Sequence, residues 1–161
     1  VGIDRLHFAR AVLYRCNFQR HHAYEKCLVA VMAGEGSAAH WNPLDTTLFL
    51  PGASAYNSFG AGGKEHVWNY LNAEQGIAAT ALTLLQPNME PWTKLLRERG
   101  HNASELAMGF SECPWGGVGD TLPLRLVQQW DRSYMGYVEA RRVLVQGPGR
   151  WPYRGNGAPR R

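Results

Sequence analysis

Between Tyr24 and Glu35 the chain spells a helix that has to be buried, and that helix ends on a carboxylate. Tyr24, Cys27, Leu28, Val31 and Met32 recur at alternating three- and one-residue steps, the i, i+3, i+4, i+7, i+8 pattern of one α-helical face. Glu35 lies one helical turn beyond Val31 and joins that face at the last turn, where Gly34 and Gly36 supply stop signals. A carboxyl in that position loses hydration and meets the negative end of the helix dipole, and both effects disfavour its charged form. Such a group keeps its proton near neutral pH, as a general acid requires. The competing reading is a solvated last-turn glutamate, since charged side chains are seldom buried unpaired. The two readings oppose each other on one point, whether Glu35 is shielded.

The segment after Glu35 cannot continue the helix, because Pro43 interrupts it. From His40 to Thr47 it supplies Trp41, Asn42, Asp45, Thr46 and Thr47, one aromatic and several short hydrogen-bonding groups that suit a sugar ligand. The stretch LFLPGASAYNSFGAGG follows, with a Pro51-Gly52 turn and glycines at 60, 62 and 63, and is expected to form a small hairpin or an irregular lobe. Asn57 and Ser58 either hold sugar hydroxyls or, for Asn57, cap a turn. Trp68 and Tyr70 either stack on sugar faces or pack in the core.

These residues carry a resemblance. EGSAAHWNPLDTTLFLPGASAYNSFGAGG, followed by WNYLNAEQGIAATALTLLQ, is similar to the small lysozyme-like domains of actinobacterial phage lysins and tail-associated cell-wall hydrolases. Those domains carry a glutamate at a helix end, then an Asn-Pro-Leu-Asn-Thr-Thr-like segment, a Pro-Gly turn and an Asn-Ser-x-Gly turn. Here Asp45 stands where that pattern has Asn, and SECPWGGVGD near Trp115 resembles the family's Ser-Pro-Trp-Gly ending. The likeness covers roughly Tyr24 to Asp120. It implies a mainly α, α+β lysozyme-like fold with a glycan cleft, and cleavage of β-1,4 bonds in peptidoglycan by a muramidase-like hydrolase or lytic transglycosylase. Glu35 is then the general acid, and Trp41, Asn42, Thr46, Thr47, Asn57, Ser58, Trp68 and Tyr70 are the substrate contacts. Asp45, Glu65, Glu74 and Asp120 are the candidates for a second carboxylate. The implied setting is a phage virion, or the host cytoplasm and then the bacterial wall. The alternative is a phage tail protein whose lysozyme-like fold binds wall or scaffolds assembly without catalysis.

The remainder reads as helices. DRLHFARAVLYRCNF places Leu6, Ala9, Val12, Leu13 and Cys16 on one face behind an Asp4 cap. His21 and His22 fall in a polar link. A helix from about Ala73 buries Ile77, Ala81, Leu84 and Leu85; another starts between Pro87 and Pro91; a third opens on Asn102 and Glu105 as a capping box. The expected organisation is a catalytic domain over 1–121, an amphipathic helix over 122–146 and a flexible basic tail over 147–161. A net charge of +4 favours an anionic partner such as a cell wall, while nucleic acid lacks a folded reader motif here. The 3 cysteines form no C-x-x-C pair and read as free thiols; no histidine spacing suggests a metal, and no cofactor is expected. No stretch is apolar enough to span a membrane.

Overall fold

The computed structural model describes residues 2–115 and 119–148, with the backbone of Tyr153–Arg154 and Ala158–Pro159. Strand β1 (Gly2–Asp4) runs into helix α1 (Arg5–Arg15), and the Asp4 carboxylate caps that helix by accepting from the His7 amide at 2.8 Å. Helix α2 (His22–Glu35) follows. Its start is the expected polar link itself, because the His21 ring accepts from the Ala23 amide at 3.3 Å.

The core is built around α2. Its expected apolar face is buried, and so are Ala23, Glu25, Val29 and Ala30, so the helix is enclosed on nearly every side. α1 packs on it from the N-terminal side of the chain. After it come the hairpin β2 (Ser54–Phe59) and β3 (Glu65–Asn69), helix α3 (Ala73–Leu84), helix α4 (Glu90–Arg97) behind a 3-10 turn at Pro87–Met89, and helix α5 (Ala103–Ser111). Asn72 and Asn102 cap α3 and α5 by accepting from the Gln75 and Glu105 amides at 2.9 and 2.8 Å. Leu85 departs from its expected place on the buried face: it is the residue that terminates α3, and 46% of it is exposed.

The C-terminal quarter differs from expectation. Residues 122–146 form two helices and a strand, α6 (Leu122–Arg132), α7 (Tyr134–Arg142) and β4 (Leu144–Gln146). The chain breaks at Ser133, which leaves helical geometry at φ −140° and ψ 89°. That bend lets Trp130 and Tyr137 meet at 5.5 Å between ring centroids, both of them buried. α6 packs on α2 and α5, and α7 on α1 and α2, so this segment shares the core of 1–121 and does not stand beside it. β4 pairs antiparallel with β1, Ile3 opposite Val145.

Among the described residues the protein is mainly α, with seven helices and small two-stranded ribbons. Most of the tail expected over 147–161 lies outside them; within it the backbone of Tyr153–Arg154 pairs with Ala158–Pro159. Cys16, Cys27 and Cys113 are free and buried. No helix among the described residues is long and apolar enough to cross a membrane.

Candidate active site

α2 stops because Gly36 turns left-handed at φ 58°, its amide still bonded to the Met32 carbonyl at 3.1 Å. Glu35 is therefore the last helical residue, half-buried, and its carboxyl is pushed up to about 7. Burial is the main cause, followed by the negative charges of Asp45 and Asp120. The shielded reading of Glu35 is the one its surroundings support.

Asp45 reaches Glu35 through a strained loop. Trp41 and Asp45 both take left-handed backbone conformations, at φ 54° and 53°, which residues with a Cβ adopt rarely. What holds the loop there is a set of buried polar bonds. Asn42, fully buried, donates from Nδ2 to the Thr46 and Trp68 carbonyls at 2.9 Å each, and its Oδ1 accepts from the Thr46 amide at 2.9 Å. The Thr46 hydroxyl meets that of Thr83 on α3 at 2.5 Å. Tyr70 donates its phenol to the Leu48 carbonyl at 2.6 Å, and Trp115 its indole N–H to the Leu44 carbonyl at 2.6 Å. Trp41 is wholly buried, with its indole N–H on the Pro148 carbonyl and its amide on Gln146 at 2.9 Å.

Four expected sugar contacts are corrected by this geometry. Trp41, Asn42, Thr46 and Tyr70 are turned inward with their polar atoms hydrogen-bonded within the protein, so they shape the loop, and of the four Thr46 alone borders the groove. Buried polar groups must be paired, and short polar side chains in a tight loop serve that need as readily as they serve a sugar. Of the remaining four, Thr47 is exposed and lines a groove of about 280 Å³ with Asp45, Phe59, Glu65, Gln86 and Trp115. Asn57 and Ser58 are exposed on β2, where Asn57 bridges the bulge to the Val67 amide at 3.3 Å and Ser58 bonds the His66 ring at 2.9 Å. Trp68 alternates away from Glu65 along β3, so it faces the other side of the hairpin, against Phe49 and His66 at 5.0 Å each.

The candidate second carboxylates separate in the same way. Asp45 and Asp120 lie close enough to act on Glu35, and Glu65 lines the groove from the hairpin. Glu74 is drawn off by Arg15, 2.5 Å away. Asp45 is itself raised by burial, with a hydrogen bond from Ser37 working the other way, and its Oδ1 is buried without a partner. Asp120 accepts from the Leu122 amide at 3.0 Å at the start of α6. The SECPWGGVGD segment falls partly outside the described residues.

A half-shielded carboxyl pushed up to about 7, near two further carboxylates of which one, Asp45, lines an open groove, is equipped to donate a proton to a leaving oxygen and to stabilise adjacent positive charge. Among the described residues no cluster of His, Cys, Asp and Glu is arranged to hold a metal. Compared with protein-family models, curated proteins and solved structures, the chain matches none.

Proposed function

We propose that this protein cleaves β-1,4 glycosidic bonds in the glycan strands of bacterial peptidoglycan, as a lysozyme-like domain with Glu35 as general acid. The observation that carries the reading is the place of Glu35, half-buried at the end of a buried helix, where burial and the charges of Asp45 and Asp120 push its carboxyl up to about 7. Protonating the glycosidic oxygen needs that form of the carboxyl. Asp45 is then the group that stabilises the oxocarbenium-like transition state, with Asp120 as the alternative. The resemblance to phage lysins and tail-associated hydrolases supplies the substrate, and the net charge of +4 suits approach to an anionic wall. Its place of action is then the wall, reached from a virion or from the host cytoplasm.

Purified protein and Glu35→Gln are compared on peptidoglycan by mass spectrometry of the released muropeptides. Product from the parent protein alone is expected, and anhydro ends, reducing muramic acid or reducing glucosamine identify the reaction. Equal release by both removes Glu35 from its role. A second reading, a tail protein that binds wall without cutting it, draws support from the four expected sugar contacts that are turned inward. Binding to peptidoglycan with no product from the parent protein would decide for it.

A further inference from the structure

The loop after Glu35 also forms the wall of a second cavity, of about 450 Å³. Met32 of α2 lines it, residues 37–40 and Pro43 stand on one side, residues 143–147 on the other, and Arg5 completes it. Both walls are fixed without a ligand. The Trp41 amide bonds Gln146 at 2.9 Å, and the His40 carbonyl accepts from the Tyr70 amide at 2.9 Å. Ser37, two residues past Glu35, lines this cavity and lies close enough to Asp45, which lines the groove, to act on its carboxyl, so the pair links the two depressions.

The charge in this cavity is one-sided. Arg5 lines it and no acidic side chain does, among the described residues. The guanidinium makes one long bond, from Nη1 to the Ala140 carbonyl at 3.3 Å, and no carboxylate among the described residues pairs with it within 4.0 Å. A half-buried guanidinium with most of its five donors unspent is matched to a planar, two-oxygen acceptor. A carboxylate fits that fork.

We propose that this cavity is a subsite for a carboxylate-bearing peptide substituent of the glycan, held by Arg5, while the sugar backbone runs past Glu35 and Asp45 into the groove. The inference rests on the peptidoglycan reading and narrows it: the substrate is peptide-substituted glycan with free peptide carboxylates, preferred over the same strand with those carboxylates amidated. His40, on the exposed rim, and the backbone edge of residues 143–147 complete the contact surface.

The test measures binding by calorimetry in the Glu35→Gln background, which prevents turnover. The probes are a peptide-bearing tetrasaccharide of alternating N-acetylglucosamine and N-acetylmuramic acid and the same tetrasaccharide with its peptide carboxylates converted to primary amides, so that the two differ only in charge. The free carboxylates are expected to improve affinity about tenfold, the worth of a charge-assisted hydrogen-bonded pair. Arg5→Gln erases that preference and leaves affinity for the amidated probe unchanged. Gln146→Glu, an exposed substitution on the rim that leaves Arg5 in its helix, erases it by repulsion. Equal affinity for the two probes, a preference that survives both substitutions, or no binding of either probe overturns the subsite. Product release by the parent protein is scored separately, so the subsite can stand where glycosidase activity falls, and the reverse.

Discussion

Asp45 lies close enough to Glu35 that its charge, after burial the largest cause, holds a proton on the neighbouring carboxyl. Removing that charge while keeping the shape lowers the pKa of Glu35. Activity that depends on protonated Glu35 falls as pH rises through about 7. In Asp45→Asn the same alkaline limb is expected at lower pH. A pH profile of kcat/KM for the two proteins checks this, and an unmoved limb would separate the two carboxylates.

The same proton has a cost in stability. The pKa of Glu35 is raised from 4.5 unfolded to about 7 folded, so the folded state binds more protons between those values and stability is lost as pH rises across that window. Glu35→Gln removes the penalty. Its melting temperature is expected to match the parent near pH 4 and to exceed it at pH 8, measured by calorimetry. A variant that is inactive and yet more stable is the usual sign of a site held against its own solvation.

Asn42 is a structural clip on this reading, and Asn42→Ala separates that role from ligand contact. The substitution leaves the Thr46 amide and the Thr46 and Trp68 carbonyls without their partner. Each orphaned buried group costs about 1–3 kcal/mol, so a loss of about 2 kcal/mol or more is expected from urea unfolding. A residue that only touched substrate would leave the unfolding curve in place.

The cysteines should be silent in the folded protein. Burial pushes Cys16 and Cys27 up to about 12 and raises Cys113, which removes the reactive thiolate at neutral pH. Ellman's reagent at pH 8 is expected to find no fast-reacting thiol until denaturant is added, and then all 3.

Local signals in the sequence located the helices well. Asp4, Asn72 and Asn102 begin α1, α3 and α5, the first and last of them foreseen, and Gly36 ends α2 where the glycine pair stood. Glu35 was legible for the same reason, since period and stop signal fix a residue's face without knowledge of the partner. The partners were not legible. Whether Trp41 and Tyr70 point to solvent or to the core depends on β4 and on the Leu48 carbonyl, groups distant in sequence. The break at Ser133 carries no proline or glycine, and i, i+7 spacing already puts Trp130 and Tyr137 on one face of a straight helix, so their burial did not reveal the bend.

The ribbon that anchors the loop after Glu35 joins residues far apart in sequence, Gly2 against Gln146 and Asp4 against Leu144. Trp41 hangs from that ribbon by its amide, so the shape of the loop after Glu35 depends on the pairing of residues 2–4 with 144–146. A change that unzips Gly2–Asp4 from Leu144–Gln146 therefore loosens the loop after Glu35 without touching Glu35 itself.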